Sequence, residues 1–155
     1  MILTLIRHAK SSWSDLSLDD FDRPLNERGN RDAPKMAQWF SKNTQEKPIF
    51  FSSPANRALS TAKFFEKELT PIKFNVVDDL YHANLQDYES LILENNHEEH
   101  IVIFGHNPTI SQVAEETLKT KYVYLKTCSI CLINLVEPDT LSGELNFIKS
   151  PKELN

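Results

Sequence analysis

Residues 1–10 read MILTLIRHAK, a short apolar segment that ends in basic side chains. The run Ile2–Ile6 is too short for a helix and is typical of a buried strand. Arg7 and His8 follow it directly. Open α/β sheets bind their ligands at the carboxyl ends of their strands, so such a fold carries out its chemistry at this position. Taken alone, the pair is also compatible with an ordinary exit from a strand into a surface loop.

The composition predicts one globular domain covering residues 1–155. The chain has 155 residues, 40% hydrophobic and 25% charged, which is enough for a sizeable core. Its net charge of -5 argues against general binding to nucleic acid or to an anionic membrane. No apolar run approaches about 18 residues. Met1 leads straight into the predicted strand and only two cysteines occur, so we expect a cytoplasmic protein without a signal peptide.

Buried strands and amphipathic helices alternate along the rest of the chain. Further strands are predicted at Ile49–Phe51, Phe74–Val77, Ile101–Phe104, Ser129–Val136 and Glu144–Ile148. The resulting order, βαβαβαβαββ, predicts a three-layer α/β/α sandwich with a mostly parallel sheet and an antiparallel edge strand. If the first helix begins near Asp32, that residue is a plausible cap and Pro34 lies in the first turn.

Two later strand-to-helix junctions share one design with each other. Ser53-Pro54 and Asn107-Pro108 each place a capping residue and a proline directly after a buried strand. Both helix N-termini should therefore open at the same sheet edge as Arg7-His8. Arg57 falls in the first turn of one helix, and His106 directly precedes the cap of the other. Two arginines, two histidines and two helix N-termini at one edge indicate a site for a dianion.

Four motifs occur in order along roughly the first three-quarters of the chain: Arg7-His8, Asp22–Leu25 with Gly29, Ser52–Ala58 with Thr61-Ala62, and Gly105–Pro108. This set of motifs resembles the histidine phosphatase superfamily, also called phosphoglycerate mutase-like. The short chain, Arg23 before Pro24, and residues 80–83 most resemble the small SixA-like phosphohistidine phosphatases.

The resemblance implies a role for each motif residue. His8 would be the nucleophile that becomes phosphorylated, Arg7 and Arg57 would clamp the phosphoryl oxygens, and His106 would donate to them. Neighbouring guanidinium groups disfavour imidazolium, which suits a neutral nucleophile. The planar fork of arginine binds phosphate bidentately and never loses its charge. Arg23 and His82 are expected to bind substrate, and neither a cofactor nor a metal is expected.

The chain departs from the family pattern at three positions. Ala9 replaces the usual glycine after Arg-His, and Ser14 stands where asparagine is common. Larger members carry a glutamate that protonates the leaving group, whereas the nearest counterpart here is His82. An enzyme without that acid should favour P–N over P–O bonds, because imidazole leaves far more easily than an alkoxide.

The acidic loop before Arg23 contains four aspartates, at positions 15, 19, 20 and 22. Carboxylates beside a phosphate site that lacks Mg²⁺ would repel the substrate. We therefore expect a solvated loop whose aspartates pair with Arg28 or Arg31.

The sequence leaves three functions open. The leading hypothesis is a metal-independent phosphatase that acts through phospho-His8, with a phosphohistidine-bearing signalling protein as partner. The alternatives are a small-molecule phosphomonoester phosphatase of the same superfamily, and a non-catalytic module that binds phosphate or a phosphoprotein. We expect a monomer with neither nucleic-acid nor membrane partners.

Overall fold

A computed structural model describes residues 1–154, and in it strands and helices alternate in the predicted order. The strands are β1 (Ile2–Arg7), β2 (Ile49–Ser52), β3 (Lys73–Val76), β4 (His100–Gly105), β5 (Ile130–Glu137) and β6 (Ser142–Lys149). The helices are α1 (Glu27–Ser41), α2 (Asn56–Leu69), α3 (Leu85–Glu94) and α4 (Thr109–Leu118). Short 3-10 turns occupy Asp20–Asp22, Asp78–Leu80, Pro138–Thr140 and Pro151–Leu154. Within the described residues no helix has the length and apolarity that crossing a bilayer requires.

The strands form one mixed sheet in the order β3-β2-β4-β1-β5-β6. Strands β1 to β4 are parallel, β5 runs antiparallel to β1, and β6 runs antiparallel to β5. The prediction of an α/β fold is confirmed, with one refinement. The strand that runs antiparallel to both of its neighbours is β5, which lies next to the edge strand β6. β1 and β4 lie at the centre, paired residue by residue from Ile2 with His100 to Arg7 with Gly105.

The sheet is covered on both faces, as its alternating side chains require. Leu3 and Leu5 of β1 belong to a core cluster that also contains residues of α3 and α4. Ile6 belongs to a second cluster that contains residues of α1 and α2. All three side chains are fully buried. Because β1 is packed on both faces of the sheet, the backbone position of the residues that follow it is fixed.

Each of the three helices that follow the motifs begins at a residue other than the predicted one. Asn26 caps α1, since its side chain accepts a hydrogen bond from the Gly29 amide at 2.9 Å, and Pro34 lies inside the helix. Asp32 is therefore not the cap, because the helix begins five residues earlier, at Glu27, and Asn26 caps it there. Ala55 precedes α2 and Pro108 precedes α4, so Ser53 and Asn107 lie just before the helix caps.

Candidate active site

His8 is the first residue after β1, and its side chain is held in one tautomer. Its Nδ1 lies 2.7 Å from the carbonyl oxygen of Ala9. A carbonyl oxygen can only accept, so Nδ1 carries the proton and donates it. Nε2 therefore keeps its lone pair, and this is the state that a nucleophilic histidine requires.

Burial keeps the His8 imidazole neutral. The side chain is buried, and this burial lowers the pKa of His8 from 6.5 to about 3, against the opposing effect of the Ala9 hydrogen bond. The charges of His106, Arg57 and Arg7 lower the pKa of His8 further. The sequence analysis attributed the neutral state of His8 to the neighbouring arginines, whereas the exclusion of water is the larger cause of its lowered pKa.

His106 directly follows β4 and lies beside His8, with 5.1 Å between the two ring centroids. Its Nε2 lies 2.7 Å from the Ser53 hydroxyl oxygen, and that oxygen accepts from the Ala55 amide. The Ser53 hydroxyl can donate its proton to Nε2, and in that tautomer Nδ1 of His106 is an N–H donor. Burial, followed by the charge of Arg57, lowers the pKa of His106 to about 4.

Arg7 is anchored by one end of its guanidinium group. Nη1 donates to the Tyr124 hydroxyl at 3.2 Å and to the Leu125 carbonyl at 3.1 Å. Arg7 Nε and His106 Nδ1 are buried without a hydrogen-bond partner among residues 1–154. Buried polar groups without partners are costly and rare in native proteins. An anion that accepts from these two atoms would satisfy both.

Arg57 and Arg23 share one carboxylate, that of Asp20. Arg57 Nη2 lies 2.9 Å from Asp20 Oδ2 and Nη1 lies 2.7 Å from the Asp20 carbonyl oxygen. Arg23 donates to Asp20 Oδ1 from Nη2 at 2.9 Å and from Nε at 3.2 Å. The Tyr81 hydroxyl donates to Oδ2 at 2.8 Å. The carboxylate thereby offsets the mutual repulsion of two guanidinium groups.

The expectation that the acidic loop pairs with Arg28 or Arg31 is wrong. Those two arginines face Asp32, at 3.5 Å and 3.8 Å. Partial burial opposes ionisation of Asp20, but the hydrogen bonds from Tyr81 and Arg57 outweigh it and lower its pKa to about 2. Sequence reasoning missed Asp20 as a site residue, although its i,i+3 spacing to Arg23 was visible.

Arg23 and His82 reach the site from loops. The Arg23 guanidinium carbon lies 3.4 Å from the centroid of the Trp13 ring, a cation–π contact, and the arginine is buried. The ring of His82 lies 4.1 Å from that of Tyr81. His82 and His106 line the same cavity, of about 250 Å³.

The structure therefore brings all six predicted site residues into one region. Among the described residues, Ser14 forms hydrogen bonds only with Ser12, through its hydroxyl and its amide. Ala9 is fully buried and donates its amide to Thr61, so its methyl group is accommodated. Among residues 1–154, no three His, Cys, Asp or Glu side chains are grouped so as to hold a metal ion.

Comparison with proteins of known structure finds the same fold. A SixA-type protein from Agrobacterium tumefaciens superposes with a TM-score of 0.87 at 24% identity, over 97% of each chain. The protein histidine phosphatase SixA in complex with tungstate gives 0.89 at 21% identity over the whole of both chains. A phosphoserine phosphatase mutant from Entamoeba histolytica in complex with phosphoserine gives 0.73 at 18% identity, over 99% of each chain. These likenesses show a shared architecture.

Comparison of sequences identifies the family. An uncharacterized chloroplastic protein of Arabidopsis thaliana is 32% identical over 150 residues, and the alignment covers 84% of this chain but only 65% of the relative's length. The family model for branch 1 of the histidine phosphatases matches residues 3–100, which include Arg7, His8, Arg23 and Arg57. The chain belongs to the histidine phosphatase superfamily, branch 1.

Proposed function

We propose that this protein is a metal-independent phosphatase that works through a phosphohistidine intermediate on His8. The lone pair of Nε2 forms a bond to phosphorus while the bond to the leaving group breaks. Water then attacks phosphorus, the P–N bond breaks, and inorganic phosphate leaves. The observation that carries the proposal is the Ala9 carbonyl on Nδ1, which leaves Nε2 unprotonated. A module that only binds phosphate has no need of such a nucleophile.

The surrounding cations have roles that follow from their geometry. In-line transfer places charge on three equatorial phosphoryl oxygens, and donors already in position stabilise it. Within the site, and among residues 1–154, Arg7 Nε and His106 Nδ1 are buried without a hydrogen-bond partner and can donate to these oxygens. Arg57 supplies positive charge from the first turn of α2. The charge that a metal ion would contribute elsewhere is supplied here by arginine.

We further propose that the substrate is phosphohistidine on a protein. Asp20, the carboxylate bound to both Arg57 and Arg23, has a pKa of about 2 and is ionised near neutral pH, so it does not protonate a leaving group. A phosphohistidine substrate needs little help, because imidazole has an unperturbed pKa of about 6.5. The proposal includes a monomeric enzyme that acts in the cytoplasm on a signalling protein, without nucleic-acid or membrane partners.

One observation favours the second candidate, a small-molecule phosphomonoester phosphatase. The Tyr81–His82 ring pair lies beside His106, with 6.0 Å between the Tyr81 and His106 centroids. Partial burial, followed by the bond to Asp20, raises the pKa of the Tyr81 phenol, which therefore stays protonated. A protonated His82 or Tyr81 at this place could protonate an alkoxide leaving group.

A leaving-group series separates the two candidates. kcat/KM is measured on a phosphohistidine peptide and on phosphate esters whose alcohols span a wide range of pKa. We expect a steep fall as the leaving-group pKa rises, and a steeper one in His82→Ala only if His82 is the donor. A flat series, with sugar phosphates cleaved as fast as phosphohistidine, would favour the second candidate. EDTA should leave all rates unchanged, and a loss restored by Mg²⁺ or Zn²⁺ would contradict the metal-independent mechanism.

A further inference from the structure

A cavity of about 240 Å³, here called the basic groove, adjoins the site on the side of Arg7. Arg7 and Tyr124 belong to both, since the Tyr124 hydroxyl accepts from Arg7 Nη1. The groove runs between the residues after β1, the first turn of α1 and the C-terminal 3-10 turn. Its lining consists of Arg7, Lys10, Arg28, Tyr124, Lys126, Thr127, Ser150, Pro151 and Lys152.

The charge of the basic groove contrasts with that of the whole chain. Five of its lining residues are cationic and none is a carboxylate, whereas the chain carries a net charge of -5. In the part of the chain that the structure describes, Lys10, Lys126 and Lys152 form no ion pair. Within the same residues Arg28 forms an ion pair only with Asp32, at 3.5 Å. Such a concentration of cations raises the local concentration of anions.

The basic groove continues away from the site. A second cavity, of about 310 Å³, shares Arg28, Pro151 and Lys152 with it and adds Arg31, Asp32 and Lys35. The two cavities together form a mainly cationic track that starts at Arg7. A compact second phosphate on a small molecule would fill only the end nearest Arg7, whereas an extended chain with several carboxylates could follow the whole track.

We propose that the basic groove binds an acidic segment that flanks the phosphorylated residue of a protein substrate. The inference rests on the proposed phosphatase function and adds a substrate class to it. Arg7 links binding of the phosphoryl group to binding of the acidic segment, because the same guanidinium faces the phosphoryl group through Nε and borders the groove through Nη1.

The test uses two matched double variants. Lys126→Glu/Lys152→Glu reverses two charges of the basic groove, and Lys63→Glu/Lys67→Glu reverses two exposed charges on α2. Each is assayed with an aryl phosphate, with a phosphohistidine peptide flanked by Asp and Glu, and with the same peptide carrying Asn and Gln instead. We expect wild type and the α2 variant to prefer the acidic peptide at least tenfold in kcat/KM. The groove variant should lose this preference and retain aryl phosphate hydrolysis.

Several outcomes would overturn the inference while leaving the phosphatase intact. Equal rates on both peptides in wild type would show that the basic groove does not select acidic substrates. If the groove raises kcat/KM for a bisphosphate as much as for the acidic peptide, the groove serves small molecules. If a DNA oligonucleotide inhibits hydrolysis of the acidic peptide and of the neutral peptide equally well, the groove is a general surface for polyanions.

If neither peptide is hydrolysed, the proposed phosphohistidine substrate fails, and the groove is tested by binding alone. The acidic peptide without phosphate should then bind wild type and the α2 variant in titrations followed by fluorescence anisotropy. Binding that the groove substitutions leave unchanged would overturn the inference independently of catalysis.

Discussion

The active site has two halves that are built differently. The strand-end half, made of Arg7, His8 and His106, is buried or nearly so and is held by backbone carbonyls and hydroxyl groups. The loop half consists of Asp20, Arg23, Tyr81, His82 and Trp13. Its Asp20, His82 and Trp13 are exposed, Tyr81 is half-buried and Arg23 is buried, and the set is held by an ionised carboxylate and stacked rings. The sheet fixes the positions of side chains that make and break bonds, whereas the loops supply charged side chains that can exchange partners. Arg57 connects the halves, because it lies in the first turn of α2 and binds Asp20.

The strand-end half should show the largest effect. His8→Ala removes the nucleophile, so we expect turnover to fall at least about 10⁴-fold while the fold is retained. The measurements are kcat on an aryl phosphate and an acid-labile phosphoenzyme trapped by rapid quench in wild type alone. His97→Ala removes an exposed histidine and should change neither. Residual activity above about one per cent in His8→Ala would rule out the covalent route.

Arg57→Lys tests the residue that connects the two halves. The lysine ammonium is a point charge and cannot reproduce the planar fork of the guanidinium, so we expect kcat to fall about 10²–10³-fold. The matched control is Arg31→Lys, at an exposed arginine that meets Asp32 at 3.8 Å. Wild-type rates for Arg57→Lys would place its guanidinium outside the transition-state contacts.

Asp20→Asn tests what the carboxylate of the loop half does. Asparagine keeps the shape and removes the charge, so inorganic phosphate should bind about tenfold more tightly through the loss of like-charge repulsion. Calorimetric titration measures the change, and Asp15→Asn, which removes a charge bonded only to Ser17, serves as control. Weaker phosphate binding in Asp20→Asn would instead mean that the carboxylate is needed to orient the arginines.

Arg23→Ala should change binding alone, by a factor no larger than that of Asp20→Asn. Its guanidinium contacts Asp20 and the Trp13 ring on the loop side. We expect KM to rise about tenfold with kcat nearly unchanged. Steady-state kinetics measure both constants, and a fall in kcat with a constant KM would move Arg23 into the strand-end half.

The two halves also differ in how far the sequence predicted them. Arg7, His8 and His106 could be placed because strand ends of a parallel sheet meet at one edge, whatever the loops do. The contacts of Asp20 depend on how residues 11–23 fold back, with the Ser12 amide bonded to the Pro24 carbonyl at 2.7 Å and Ser11 bridged to Leu25. Such closure arises from tertiary contacts that no periodicity reveals. The helix starts were predicted less well, because capping residues compete over a few positions.

The burial that keeps His8 and His106 neutral also limits the acid stability of the protein. With pKa values of about 3 and 4, neither folded side chain takes up a proton between pH 6.5 and about 4, whereas both do so in the unfolded chain. The unfolded state then binds more protons, so stability is full above pH 6.5 and falls as the pH drops. Each histidine should remove about 1.4 kcal/mol of unfolding free energy per pH unit within that window. Urea titrations at a series of pH values would reveal this slope, and the slope should be smaller in His8→Ala. The lower pH limit of the enzyme would then be set by unfolding and not by protonation of the nucleophile.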